Sequence, residues 1–233
     1  MRCKAVIFDL DGTLIDTEKL YRRYWPEALR HFGYDLPDER ALMLRSLGSP
    51  FAPEQFRAWY GEDFDYPAVR AYRGKLIEAH IAREGVEPKN GAKEALCRLR
   101  EAGVTIAIAT ATDPERTGRY LRLAGLDGLI PTIISATMVA LGKPAPDIYR
   151  YACETLGLVP SECIAVEDAP NGVRSAYDAG LNVVMIPDQT EPDEETSRML
   201  YARADSLAEL TEIALRAVNC GGKTDDGDER QKQ

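Results

Sequence analysis

Short, almost unbroken apolar runs restrict this chain more than any other feature. Five occur, at Ala5–Leu10, Val104–Thr110, Thr132–Ser135, Cys163–Val166 and Val183–Ile186. A strand with one face in water alternates apolar and polar residues, so a run without alternation predicts a strand covered on both faces. Helical patterns fill the later gaps, at Gly91–Ala102, Asp113–Ala124, Ala145–Leu156 and Asn171–Ala179. Strands alternating with helices predict an α/β fold with a Rossmann-like parallel sheet flanked by helices. Such sheets bind ligands beyond the carboxyl ends of their strands, so the residues after each run carry the functional signal.

The first gap differs from the others. About ninety residues separate the first two runs, far more than a crossover needs. Residues 17–84 show no convincing strand but carry helical stretches at Lys19–Phe32, Asp38–Leu47, Pro53–Tyr60 and Tyr66–Glu84. This predicts a helical domain inserted after the first strand, with the α/β core built from residues 1–16 and 85–220. The two crossings, near Asp16–Thr17 and Glu84–Gly91, are the expected hinges. Residues Gly221–Gln233, GGKTDDGDERQKQ, contain no apolar side chain and are expected to be disordered.

Charge narrows the partners. The 233 residues include 29 basic and 38 acidic ones, a formal charge of −9. That balance argues against nucleic-acid binding, which needs a basic footprint. It also repels anionic substrates at long range, so capturing one requires local cations or a metal. The five cysteines, Cys3, Cys97, Cys153, Cys163 and Cys220, are scattered and form no C-x-x-C pair. This predicts free thiols in a reducing compartment. No apolar run approaches transmembrane length, and the first is too short for a signal peptide. A soluble cytoplasmic protein with no membrane partner is expected, with a monomer as the default.

The strand ends carry the chemistry. After Ala5-Val6-Ile7-Phe8 come Asp9, Asp11 and Gly12. Residues two apart on a strand share a face, so the two carboxylates can converge. Unpaired, they raise each other's proton affinity; a bound cation or a retained proton relieves this. A lone D-x-D also suits a helix cap or a solvated turn. The second run ends at Thr110, with Thr112 nearby, offering hydroxyl and backbone donors for phosphate oxygens or a helix cap. Lys143 follows the third run, before Pro144, and can meet an anion as a point charge. The fourth run ends in Glu167 and Asp168. Each element alone has an ordinary structural explanation; all four on one sheet edge would form a site.

D-x-D-G-T-L after the first strand, Thr after the second, K-P after the third, and E-D plus a glycine after the fourth resemble the haloacid dehalogenase superfamily. The match runs in order from Ala5 to Ile186, and the inserted helices resemble that superfamily's α-helical cap. The nearest resemblance is to the beta-phosphoglucomutase-like group, which includes many sugar-phosphate phosphatases. The resemblance implies that Asp9 is the nucleophile and Asp11 the general acid–base. It implies that Thr110 and Lys143 hold the phosphoryl oxygens. Mg²⁺ would be held by Asp9, the main-chain carbonyl of Asp11, and Asp168 with Glu167. An all-oxygen site with few protein ligands suits Mg²⁺. The expected partner is a small phosphorylated metabolite.

The helical insertion should choose the substrate. Mutases resembling this chain carry a cap histidine where Tyr21 falls here. That departure favours a phosphatase, with beta-phosphoglucomutase activity as the alternative. His31 and His80 do not fall at that place and read as ordinary helix residues. Arg22, Arg23, Arg45, Arg73 and Lys75 are candidates for contacting distal substrate groups, Arg45 foremost. Tyr21, Tyr24 and Trp25 read as helix packing or as a sugar platform.

Overall fold

Alternate residues of the central strands feed two apolar layers. Val6, Phe8, Ile106, Ile108, Ile164, Val166 and Val184 enter one; Ala5, Ile7, Ala107, Ala109, Cys163, Ala165, Val183 and Met185 enter the other. The absence of alternation in the sequence is therefore the mark of a sheet packed on both faces. The computed structural model describes residues 3–219. The segment expected to be disordered, and Cys220, lie outside the described residues.

Six strands form one parallel sheet: β1 (Ala5–Phe8), β2 (Thr105–Thr110), β3 (Thr132–Ser135), β4 (Cys163–Glu167), β5 (Asn182–Met185) and β6 (Ala202–Arg203). Their order is β3-β2-β1-β4-β5-β6. In register, Phe8 lies beside Ile108 on one side and Val166 on the other. The order reverses around β1, which opens a crevice between the ends of β1, β2 and β4.

Ten α-helices complete the described chain. Four precede β2's own helix: α1 (Glu18–His31), α2 (Asp38–Met43), α3 (Phe51–Tyr60) and α4 (Tyr66–Glu84). The rest are α5 (Ala92–Glu101), α6 (Pro114–Leu123), α7 (Asp147–Leu156), α8 (Pro170–Asp178), α9 (Glu194–Met199) and α10 (Leu207–Asn219). Asp65 caps α4 by accepting from the Ala68 amide at 3.0 Å, and Asp113 caps α6 by accepting from Arg116 at 2.9 Å.

Several boundaries differ from expectation. β1 stops at Phe8 instead of Leu10, because the chain turns into the D-x-D-G segment. Helix α2 ends at Met43 instead of Leu47, because the following residues turn to touch the core. Strand β6 and helices α9 and α10 were not among the expected elements.

Helices α1 to α4 hold an apolar cluster of their own, centred on Trp25, Leu29, Phe56 and Phe64. The Trp25 and Phe56 rings lie 4.7 Å apart. Leu20 and Tyr24 of α1 and Ile77 and Ile81 of α4 pack instead into the sheet's larger layer. The helical segment thus has its own core yet is seated on the sheet. Its two crossings run side by side. The Asp16 amide donates to the Glu87 carbonyl at 2.8 Å and the Lys89 amide to Leu14 at 2.9 Å. Lys19 bonds Glu87 at 2.7 Å and also pairs with Asp16. On the far side, the loop after α2 meets the loop before α7. The Gly48 amide donates to Lys143, and Gly142 to Ser49, both at 2.7 Å.

Cys3, Cys97, Cys153 and Cys163 are free thiols, as expected. Among the described residues no helix is long and apolar enough to cross a membrane.

Candidate active site

The β1, β2 and β4 ends and the β3–α7 loop bring the expected residues together. Asp9, directly after β1, is buried and extends the strand pairing by donating its amide to Val166 at 2.8 Å. Lys143 arrives from the β3–α7 loop. Its ammonium donates to Asp9 Oδ1 at 2.5 Å, to Glu167 Oε1 at 2.6 Å and to the Ala109 carbonyl at 2.9 Å. An ammonium has three donors, and all three are used. Lys143 therefore sits between two carboxylates as their shared counter-ion. In this arrangement it has no spare donor for a phosphoryl oxygen.

Asp9, Glu167 and Asp168 each place a carboxylate oxygen within 4.8 Å of the others. Glu167 Oε2 and both oxygens of Asp168 are buried without a hydrogen-bond partner. Buried carboxylates left unpaired are costly, and an oxygen-seeking cation removes that cost. The donor set consists entirely of oxygens, so these residues fit a small divalent ion. Backbone geometry keeps the acids close. Gly12 has φ +89°, and a Cβ there would lie 2.5 Å from Asp168 Oδ2. At Gly172, in α8, a Cβ would overlap the Glu167 carboxylate.

Asp11 is not one of these three clustered acids. β1 has ended before it, so strand alternation does not bring its carboxylate onto Asp9. Thr17 donates to Asp11 Oδ1, and Thr112 donates to Oδ2 at 2.9 Å. Asp11 thus ties the crossing into the helical segment to the loop after β2. Thr110 is fully buried, and its hydroxyl accepts from the Thr112 amide at 3.0 Å. It shapes the loop whose neighbouring residues, Ala111 and Thr112, line the cavity.

Protonation follows from this crowding. Burial pushes Asp9 up to about 8, with Glu167 and Asp11 adding and Lys143 opposing. Burial raises Asp11, against the hydrogen bonds from Thr17 and Thr112. Burial also raises Asp168, and Glu18 and Asp9 raise it further. At Lys143 burial works against the charge, but Asp9 and Glu167 outweigh it, so the ammonium is held more firmly than in water.

A cavity of about 460 Å³ opens from Asp9 and Asp11 toward α1, α4 and the α2–α3 loop. Arg45 and Tyr21 both line it. Arg45 is buried, approaches Asp168 at 3.7 Å and donates to Thr190. Its carbonyl accepts from Asn171 at 2.8 Å, which fixes the α2–α3 loop to α8. Arg22 also lines the cavity but is paired with Asp38. Arg23 and Lys75 are exposed and do not line it. His31 stacks on Tyr72 at 4.0 Å and His80 meets the Tyr24 hydroxyl at 3.1 Å, so both serve packing.

Two participants were not predicted. Glu18 is buried in the cavity wall, and burial together with Asp11 pushes it up to about 8. The acid after Asp16-Thr17 was its only sequence signal. Tyr149, in α7, is fully buried and donates to Glu167 Oε1 at 2.6 Å. Its place six residues after Lys143, on the helix face toward the sheet, was the available clue.

This arrangement belongs to a recognised class. The family model described as haloacid dehalogenase-like hydrolase matches residues 3–180. Hexitol phosphatase A of Escherichia coli is 35% identical over 215 residues, covering 91% of this chain and 94% of that protein. A crystal structure of a CbbY variant from Rhodobacter sphaeroides, in complex with xylulose 1,5-bisphosphate, superposes with a TM-score of 0.74. It is 28% identical and covers 89% of this chain and 96% of its own. A beta-phosphoglucomutase from Clostridium difficile, 19% identical, superposes with a TM-score of 0.78 over 94% of this chain and 98% of its own and shares the fold. The chain belongs to the haloacid dehalogenase-like hydrolases.

Proposed function

We propose that this chain is a Mg²⁺-dependent phosphatase that hydrolyses a small phosphorylated metabolite, a sugar phosphate, through an aspartyl-phosphate intermediate. The observation that carries this reading is the placement of Asp9 among Lys143, Glu167 and Asp168, at the mouth of a cavity that Asp11 also lines. The hexitol phosphatase relative supports the substrate class.

In this reading the helical segment 17–84 is the cap over a core of residues 1–16 and 85–220. Asp9, Glu167, Asp168 and the Asp11 main-chain carbonyl hold the ion. Bound there, Mg²⁺ supplies positive charge that orients a phosphoryl oxygen and offsets the repulsion between anionic substrate and acids. An Asp9 carboxylate oxygen attacks phosphorus, forming an acyl-phosphate bond as the ester P–O bond breaks. Asp11, whose raised pKa suits a proton donor, passes its proton to the leaving oxygen. The alcohol departs. A water then attacks the phosphorus of the phosphorylated Asp9, Asp11 takes the proton, and the acyl-phosphate bond breaks to release inorganic phosphate. Thr110 positions the β2 loop amides toward the phosphoryl oxygens. Lys143 orients Asp9 and favours its ionised form against the burial that raises it, until the phosphoryl group takes up part of its charge.

Tyr21 favours hydrolysis over isomerisation. Burial raises its pKa, so the phenol stays protonated and does not serve as a base toward a sugar hydroxyl. The test is phosphate release from a panel of phosphate esters with Mg²⁺, scored in parallel for isomerised product. Release that Asp9→Asn reduces by about a thousandfold or more is expected. No release by the wild type, or release unchanged by Asp9→Asn, sinks the reading.

A further inference from the structure

The cavity's arginines are not equivalent. Arg22 is paired with Asp38, Arg45 with Asp168, and Arg116 with Glu78 and Asp113. Arg73 has no such partner. Its guanidinium lies 4.1 Å from the Trp25 ring centroid and 4.9 Å from that of Tyr21, and the residue is only 8% exposed. Its Nε is buried without an acceptor, and no hydrogen bond or ion pair to Arg73 occurs among the described residues. Arg70, one turn earlier on α4, also lines the cavity. It faces the Tyr66 phenol and has no carboxylate partner among the described residues.

Aromatic faces attract a guanidinium but accept few of its five N–H donors. A desolvated guanidinium with unused donors is therefore incomplete. Arg70 adds to the deficit by repelling Arg73, and Glu18 tempers it only from beyond ion-pair distance. A neutral hydroxyl would satisfy a donor but leave both charges. A group with two or more anionic oxygens satisfies the fork and both charges together.

We propose that Arg73 and Arg70 form an anion subsite on the α4 side of the cavity, so that the substrate carries a second anionic group besides the phosphate ester presented to Asp9. That group is a second phosphate or a carboxylate. The inference rests on the phosphatase reading and deepens it.

The test compares three esters with the wild-type enzyme: a pentose bisphosphate, a phosphorylated sugar acid, and a sugar monophosphate with a neutral remainder. A kcat/KM at least about tenfold higher for one or both dianionic-ended substrates is expected, in keeping with a charge-assisted hydrogen bond. Which of the two is preferred separates phosphate from carboxylate. Arg73→Met should collapse the ratio to the neutral ester toward one, and Arg70→Gln should lower it in part. A merely structural role for Arg73 would lower all three in parallel and leave the ratio intact, which overturns the proposal. So does a wild-type ratio of one. Because Arg70 is exposed, its variant decides the matter if Arg73→Met does not fold. Calorimetric binding to Asp9→Asn separates this inference from the phosphatase reading. If no ester releases phosphate, tighter binding of the bisphosphate that weakens with Arg70→Gln still upholds the subsite. Equal binding of bisphosphate and monophosphate rejects it.

Discussion

The two ends of the cavity solve opposite electrostatic problems. At the sheet edge, Asp9, Glu167 and Asp168 crowd around one ammonium whose three donors are all engaged. Toward α4, Arg73 lies on two aromatic rings with its donors unused, and Arg70 stands beside it. One end has too many anions for its cations; the other has cations without anions. The difference teaches which end is fixed and which is selective. The sheet end is over-determined by backbone and by Lys143, as a reaction common to many substrates requires. With the proposed anion subsite, the α4 end would be completed only by what enters, and would discriminate.

The largest expected effect comes from removing the cation that holds the sheet end together. Lys143→Met leaves Asp9 and Glu167 buried without their shared counter-ion. Removing one member of a buried, bonded pair typically costs about 3–5 kcal/mol. Urea unfolding should register that loss, and phosphate release should fall with it. A change under about 1 kcal/mol would show that the acids share protons and do not depend on Lys143, and the contrast between the two ends would weaken.

Next is the response to metal and pH. Burial pushes Asp9 to about 8, whereas in an unfolded chain it titrates near the ordinary 3.8 of an aspartate. Between its ordinary value in an unfolded chain and the raised one, the folded state binds more protons than the unfolded state. Stability of the metal-free protein should then fall as pH rises through that window. Glu18, raised to about 8 from 4.5, acts in the same direction. A divalent cation at the acids replaces the proton. Added Mg²⁺ should raise the melting temperature more at pH 8 than at pH 5. A ligand at a hundred times its Kd stabilises by about 2.7 kcal/mol. Chelation should reverse the shift and stop phosphate release. A Mg²⁺ shift that is absent, or the same at both pH values, argues against an ion at these acids.

Smaller again is Gly172→Ala. The new methyl would overlap the Glu167 carboxylate, so that carboxylate must move while Asp9 and Asp168 stay. Disturbing the orientation of a ligand typically costs about 10–100-fold in metal affinity. Half-saturation by Mg²⁺, measured by thermal shift, should rise accordingly. An unchanged value would remove Glu167 from the ion's coordination.

The same contrast separates what the sequence made legible. Continuous apolar runs located five of the six strands, because burial on both faces leaves its mark residue by residue. Helix α4 spans the expected Tyr66–Glu84, with Asp65 as its cap, Pro67 in its first turn and Gly85 after it. A two-residue strand such as β6 leaves no periodic signal. Helix α10 does leave one: Leu207, Leu210, Thr211, Ala214 and Ala217 are buried at helical spacing. At the sheet end, Asp9 follows β1, Glu167 ends β4 with Asp168 next, and Lys143 lies in the β3–α7 loop, so position along the chain nearly fixes position in space. At the α4 end, the environment of Arg73 depends on α1 residues about fifty positions away, a separation at which packing angle decides contact and local pattern carries no information. The division of carboxylate roles was also only half legible. D-x-D placed both carboxylates at one cavity, but not that Thr17 and Thr112 would bond Asp11 while Lys143 bonds Asp9.

The finest probe of the sheet end is Tyr149→Phe. The ring, 5.3 Å below the Lys143 ammonium, would remain and keep filling the space. Only the hydroxyl that donates to Glu167 Oε1 at 2.6 Å would be lost. Glu167 would still accept from Lys143 through the same oxygen, so no new charge is orphaned. One hydrogen bond to a charged acceptor is worth about 1.5–3 kcal/mol when fully lost, and the remaining bond should hold the cost to the lower end. A modest drop in urea stability is expected, with a Mg²⁺ half-saturation raised less than by Gly172→Ala. If instead Tyr149→Phe matched Lys143→Met in magnitude, the acids would be organised from α7 as much as by the ammonium, and the sheet end would owe its rigidity to a longer network than one shared cation.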